Sequence, residues 1–279
     1  MVLGSIAFLS LLLSALICQY AGAFATWRWA WLLPVGTLGF FLAVAALLFL
    51  FIWLMCALVR KDRPQEKDNA FYRFLLSFCA RAVLEILQMR VSTRGLEQLP
   101  KDGRFLLVCN HIHDLDPVTL LHFFRRSQLA FISKRENTKK FLVGPLMHKT
   151  MCQLINREND REALKTILNC IRLLKEDQVS VAVFPEGYTS LDGLLHPFRS
   201  GVFKIALKAK VPVVVCTLQN TNKAFHNALR LKPTYVKLHL LKVFSPEETE
   251  GLTAVQLGNL VHTMMAEDLG PDLVLPETL

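Results

Sequence analysis

Phe105-Leu106-Leu107-Val108-Cys109 runs directly into Asn110-His111-Ile112-His113-Asp114-Leu115-Asp116-Pro117, and this stretch decides the fold. A short apolar run that ends in a polar, turning segment is typical of a buried strand that stops at a sheet edge. A second apolar run, residues 179–184, precedes Pro185-Glu186-Gly187-Tyr188-Thr189-Ser190. Ligands bind at such edges in open α/β sheets, so the sequence predicts a site where the two polar segments meet.

The first polar segment contains a candidate general base. Four residues separate His111 from Asp116, so a tight turn can bring the carboxylate back onto the imidazole. A carboxylate bonded to one ring nitrogen fixes the tautomer and leaves the other nitrogen free to accept a proton. The alternatives are that Asp116 caps a helix opened by Pro117, that His111 is an ordinary turn residue, and that Glu186 is solvated.

Together and in this order, the two segments resemble the glycerolipid acyltransferase family typified by 1-acyl-sn-glycerol-3-phosphate acyltransferase. The family's Asn-His-x4-Asp is matched by residues 110–116, and its Phe-Pro-Glu-Gly-Thr-Arg-Ser by residues 184–190. Weaker matches are Gly144-Pro145 with Ile155-Asn156-Arg157, and an apolar strand opened by Val211-Pro212. The resemblance extends over residues 90–245.

The resemblance implies transfer of a fatty acyl chain from acyl-ACP or acyl-CoA to the free hydroxyl of 1-acylglycerol-3-phosphate, which gives phosphatidic acid. It implies that His111 is the base and Asp116 its partner, with no metal and no cofactor beyond the acyl-donor substrate. The residues that it assigns to substrate binding are Asn110, Arg157, Glu186, Gly187, Thr189 and Ser190.

Two neighbouring positions depart from the family pattern, because Tyr188 and Thr189 stand in place of its Thr-Arg, and Thr189 replaces the arginine thought to hold the acceptor's phosphate. A hydroxyl cannot supply the charged fork of a guanidinium. Either another base takes over, with Arg157 favoured by its place in the matching block over Lys134, Arg135 and Arg199, or the acceptor is a lysolipid without a phosphate monoester. A third hypothesis is a non-catalytic, membrane-anchored lipid-binding protein, against which the intact His111, Asp116 and Glu186 argue.

The front of the chain predicts a membrane hairpin. Arg28 is the only charged residue before position 60, and residues 2–24 and 31–59 are each long enough to span a bilayer. Arg60, Lys61 and Arg63 follow at once, which places the catalytic domain on the cytoplasmic face. A signal peptide in the first run and a hairpin confined to one leaflet are the alternatives.

Composition limits the partners. The formal net charge is +9 among 279 residues, which suits a bilayer, a lysolipid acceptor and an acidic thioester donor. Nucleic acid is not expected, because no binding motif accompanies the charge. The seven cysteines lack metal-ligand spacing and are predicted to be small core residues.

The predicted fold is α/β, a mixed sheet covered by helices and preceded by the two-helix hairpin. We expect the hairpin at 1–60, a linker and amphipathic helix at 61–90 and the acyltransferase domain at 91–279. Strands are predicted at 105–109, 129–133, 179–184, 211–218 and 235–243. Helices are predicted at 71–89, 117–125, 161–175 and 253–269, with a further helix starting at Ser245.

Overall fold

The computed structural model describes residues 2–25, 31–156 and 159–276, and it divides into two units, Met1–Arg60 and Lys61–Leu279. The first unit consists of helices α1 (Val2–Tyr20) and α2 (Leu32–Ala57). Both helices are long and apolar enough to cross a membrane. The residues around Arg28, which would join them, lie outside the described part of the chain.

The two helices of the first unit pack through small residues. The Ser14 hydroxyl of α1 donates to the Leu33 carbonyl of α2 at 3.0 Å. A side chain at Gly36 would start 2.5 Å from that hydroxyl oxygen, so the glycine permits the close approach. Small residues that let helix backbones approach are typical of packed membrane helices.

The second unit is built on a seven-stranded sheet in the order β1-β7-β6-β2-β5-β3-β4. Every neighbouring pair is parallel except β6 with β7, so the predicted mixed α/β sheet is confirmed. The strands are β1 Met89–Arg94, β2 Leu106–Cys109, β3 Leu129–Lys134, β4 Gln153–Ile155, β5 Ser180–Val183, β6 Val213–Gln219 and β7 Thr234–Phe244.

Helices cover both faces of this sheet, and that is why its central strands are continuous apolar runs. Every residue of β2 and β5 is buried, as expected for parallel strands with covered faces. On one face lie α3 (Ala70–Ile86), α4 (Asp116–Phe123) and α8 (Ala224–Leu229). On the other face lie α6 (Asp160–Lys175), α7 (Lys204–Ala209) and α9 (Ala254–Leu269). Helix α5 (Val143–Lys149) follows β3 and precedes β4.

Two strands and one predicted helix differ from the sequence prediction. The strands β1 and β4 were not predicted, because these edge strands carry many partly exposed or polar residues and lack an apolar run. The predicted helix at Ser245 is wrong: Ser245 and Glu248 exchange the two hydrogen bonds of a capping box, but only turns follow. Gly251, with φ of +79°, ends this segment before α9 begins.

The sheet order determines where the polar segments meet. Strand β2 lies between β5 and β6 and is parallel to both. The carboxyl ends of these three strands therefore open onto one edge of the sheet, and the segments that follow them are neighbours there.

Candidate active site

The two polar segments form one site at the carboxyl edge of β2 and β5. Val108 pairs with Val183 at the ends of these strands. Beyond the strands, the backbone N–H of Ser190 donates to the His111 carbonyl at 2.7 Å. The sheet therefore brings together residues that are distant in sequence, and a backbone hydrogen bond joins their loops.

His111 and Asp116 are hydrogen-bonded, as their spacing predicted. His111 Nδ1 lies 2.9 Å from Asp116 Oδ2, and the Asp116 side chain is fully buried. An ionised carboxylate only accepts hydrogen bonds, so Nδ1 carries the proton and Nε2 keeps its lone pair. The arrangement can therefore work as a base that receives a proton at Nε2.

Asp116 is held by four donors. In addition to His111, the backbone N–H groups of Ile112 and His113 donate to Oδ2 at 2.7 and 2.8 Å, and the Thr221 hydroxyl donates to Oδ1. Four converging donors are the environment of a buried, ionised carboxylate. Helix α4 begins at Asp116 with Leu115 at its N-cap, and the Asp116 carboxylate accepts hydrogen bonds from the preceding turn, so the alternative that Asp116 caps this helix is wrong.

The other ring nitrogen of His111 faces a hydroxyl. Thr189 Oγ1 lies 3.0 Å from Nε2, which places a hydroxyl oxygen where a base would meet its substrate. The Phe184 ring stacks on the imidazole at a centroid distance of 4.1 Å and an interplanar angle of 16°. Contacts at Nδ1, at Nε2 and on one ring face therefore fix the orientation of the imidazole.

The buried carboxylate of Glu186 links the loop that follows β2 to the loop that follows β5. Its Oε1 accepts from the His111 backbone N–H at 2.6 Å, and its Oε2 accepts from the Ser190 hydroxyl and the His196 backbone N–H. The residue is buried, and burial raises the pKa of its carboxyl although these hydrogen bonds lower it. In this structure Glu186 positions His111, and its predicted contact with substrate stays a prediction.

Gly187 leaves room for the side chain of Arg199 to lie against the loop that follows β5. Its φ is +84°, and a Cβ atom there would lie 2.9 Å from the Cδ and Nε atoms of Arg199. The Arg199 backbone also donates to the Pro185 carbonyl at 2.8 Å. An exposed guanidinium side chain therefore lies against the loop that carries Thr189, where the family pattern has its arginine.

Asn110 extends the pairing of β2 with β6. Its Nδ2 donates to the Leu218 carbonyl at 2.9 Å, and its Oδ1 accepts from the Leu218 N–H at 2.7 Å. The side chain is buried, so both polar ends of the carboxamide are used within the sheet. Its predicted role in substrate binding stays a prediction.

The remaining predicted bases differ in position. Arg157 lies outside the described residues. Arg135 is paired with Glu162 at 2.9 Å, and Lys134 is the exposed last residue of β3.

Sequence reasoning missed Thr221 and the stacking of Phe184. Thr221 follows β6, so a polar residue after a third parallel strand was the signal available for it. Phe184 lies within the matched motif but carried no indication of ring stacking.

Comparisons with known proteins identify the family of this chain. A family model described as Acyltransferase matches residues 90–219. A 1-acyl-sn-glycerol-3-phosphate acyltransferase of Chlamydomonas reinhardtii is 35% identical over 188 residues, which cover 66% of this chain and 54% of that protein. The protein of the same name from Bacillus subtilis is 30% identical over 147 residues, which cover 52% of this chain and 71% of that protein.

A solved structure shares the fold. The crystal structure of the 1-acyl-sn-glycerophosphate (LPA) acyltransferase PlsC from Thermotoga maritima matches with a TM-score of 0.61 and 23% identity. The match covers 78% of this chain and 86% of that one, whereas the chain spans about half the length of the algal relative. The chain belongs to the acyltransferase family that includes the 1-acyl-sn-glycerol-3-phosphate acyltransferases.

Proposed function

We propose that the protein transfers a fatty acyl chain from a thioester of acyl carrier protein or coenzyme A to the free hydroxyl of 1-acylglycerol-3-phosphate, which gives phosphatidic acid. The observation that carries the proposal is the His111 imidazole, with Nδ1 on the buried Asp116 and Nε2 facing a hydroxyl. The names of the relatives support the acceptor and product.

The chemistry is a direct displacement. The acceptor hydroxyl takes the position beside Nε2 that Thr189 Oγ1 occupies, and His111 removes its proton as the oxygen attacks the thioester carbonyl. The carbon–sulfur bond breaks, and the leaving thiolate takes the proton from the imidazolium. Asp116 stabilises the charged ring in between. A positioned base of this kind accelerates such reactions roughly 10²- to 10⁴-fold.

The acceptor's phosphate needs a cation, and Arg199 supports the assignment of a phosphate monoester. Its side chain lies against Gly187, two positions from Thr189, and it can present a guanidinium from the neighbouring segment. Acylation of a lysolipid without a phosphate monoester is the second candidate, and the replacement of the family arginine by Thr189 favours it.

A membrane location follows from the substrates. Acceptor and product are amphiphiles that stay in a bilayer, whereas the thioester donor is dissolved in the cytosol. The helices α1 and α2 support membrane association, and the basic residues 60–63 after α2 favour a catalytic unit on the cytoplasmic side. An enzyme held at that surface meets both substrates.

The experiment is an acceptor screen with the purified full-length protein. Labelled acyl-CoA and acyl-ACP are offered with lysophosphatidate, lysophosphatidylcholine and lysophosphatidylglycerol, beside the His111→Ala variant. Acylation of lysophosphatidate above the other acceptors, absent in the folded variant, is the expected result. Exclusive use of the diester acceptors supports the second candidate. Full turnover by His111→Ala overturns the mechanism, and no transfer to any acceptor overturns both candidates.

A further inference from the structure

Helix α8 exposes its apolar side chains instead of burying them. Phe225 and Leu229 are four residues apart on one face and are 52% and 88% exposed, whereas Ala224 is fully buried against the core. Leu231, in the turn that follows, is 82% exposed. We call Phe225, Leu229 and Leu231, with Lys223, Arg230 and Lys232 between and beside them, the α8 surface.

The backbone conformation at Leu231 is unfavourable for a leucine. Its φ is +53°, a left-handed conformation that is normally taken by glycine or asparagine because a Cβ atom is strained there. Its side chain is almost entirely exposed, so within the described residues it gains little burial in return. A leucine that is both strained and exposed indicates a partner outside the folded unit.

The charge around these side chains indicates what that partner is. The basic residues of the α8 surface are Lys223, Arg230 and Lys232, and residues 220–236 include no acidic residue. Apolar tips among basic residues are the pattern of a surface that binds the interface of an anionic bilayer.

The α8 surface adjoins the catalytic site. The Phe225 ring lies 5.5 Å from the ring of His113, two residues from His111. Thr221, which holds Asp116, precedes α8 by three residues. An acceptor that leaves the bilayer beside this helix therefore has a short path to the base.

We propose that the α8 surface inserts its apolar side chains into the interface of an anionic bilayer and holds the mouth of the His111 site against the lipid. The proposal rests on the proposed function, because it explains how a bilayer-resident acceptor reaches the base. The basic side chains lie at the level of the anionic headgroups, and Leu229 and Leu231 reach below them.

The test compares one enzyme on two forms of its acceptor. The full-length Leu229→Asp/Leu231→Asp variant is reconstituted into phosphatidylcholine vesicles with one-fifth phosphatidylglycerol and assayed with long-chain lysophosphatidate in the bilayer. It is then assayed with a short-chain lysophosphatidate that is monodisperse in water. The control is Leu164→Asp/Leu168→Asp, two leucines that are each 55% exposed and four residues apart on α6, across the sheet.

We expect at least a tenfold loss of rate on the bilayer acceptor and less than a twofold change on the soluble acceptor, with neither affected in the control. An equal loss on both acceptors, or no loss on either, overturns the proposal. We expect the wild-type protein to be faster on anionic vesicles than on pure phosphatidylcholine vesicles. The Arg230→Glu/Lys232→Glu variant should lose this difference in rate.

Hydrogen exchange separates this proposal from the proposed function. Amides of residues 225–235 are expected to be protected when the wild-type protein passes from detergent into anionic vesicles, whether or not acyl transfer is observed. Protection of these amides in a protein without acyltransferase activity would support the membrane contact of the α8 surface and refute the proposed function. Unchanged exchange with an active protein would refute the proposed membrane contact of the α8 surface and leave the proposed function standing.

Discussion

Asn110 offers a direct test of whether a residue of the matched motif holds the fold or the substrate. Its carboxamide makes two hydrogen bonds to the backbone of Leu218, at 2.9 and 2.7 Å, in a buried position. The Asn110→Ala variant removes both partners and leaves an N–H and a carbonyl of β6 unpaired. We therefore expect this variant to lose stability.

The size of the effect follows from these two groups. A buried polar group left without its partner costs roughly 1–3 kcal/mol, so the two together lower the free energy of unfolding by about 2–6 kcal/mol. For a unit of this size each kcal/mol lowers the melting temperature by roughly 2–4 °C. The variant should therefore melt on the order of 5–20 °C below the parent.

Circular dichroism of the full-length protein in detergent measures the melting temperature, and steady-state kinetics on lysophosphatidate provide the second readout. Asn222→Ala is the matched control, because Asn222 is exposed and its loss should change stability by less than about 0.5 kcal/mol. An Asn110→Ala protein with the parental melting temperature and a raised KM would refute the reasoning and support a substrate contact.

Three other variants test the site. Asp116→Asn should lower kcat roughly 10³- to 10⁴-fold with KM little changed, because the imidazole of His111 loses its orienting charge, as in catalytic triads; single-turnover kinetics measure this. Arg199→Ala should raise KM for lysophosphatidate at least tenfold, and adding Thr189→Arg should restore much of it; no change in KM would remove Arg199 from phosphate binding. Glu186→Gln should lower stability, since its amide NH₂ faces donors. Burial raises the pKa of the Glu186 carboxyl, so binding of its proton favours the folded state; this stabilisation is complete below the unfolded pKa, near pH 4, and is lost as pH rises through the folded pKa. The difference in the free energy of unfolding between the parent and Glu186→Gln should therefore narrow with rising pH, and a constant difference would contradict this.

The central strands were predictable because their physics is local. The runs around Val108, Val181 and Val214 are apolar without alternation, which occurs where both faces of a sheet are covered. The edge strands β1 and β4 lack this signal, since their side chains are partly in solvent and only pairing with β7 and β3 makes them strands. At Ser245 a local signal was present but no helix formed. A capping pattern begins a helix only if the following residues have a surface on which to pack.

By itself the sequence determined that His111 and Asp116 can meet, since five positions of chain allow one tight turn, and that Glu186 follows a second buried strand. Only the tertiary structure decided that β2, β5 and β6 are parallel neighbours, which places Thr221 on Asp116, Thr189 on His111 and Arg199 over Gly187. The physical reason is range: a turn is fixed by the few residues that form it. Strand order is fixed by how all the helices and strands together bury their apolar faces, and no single segment of the chain contains that information.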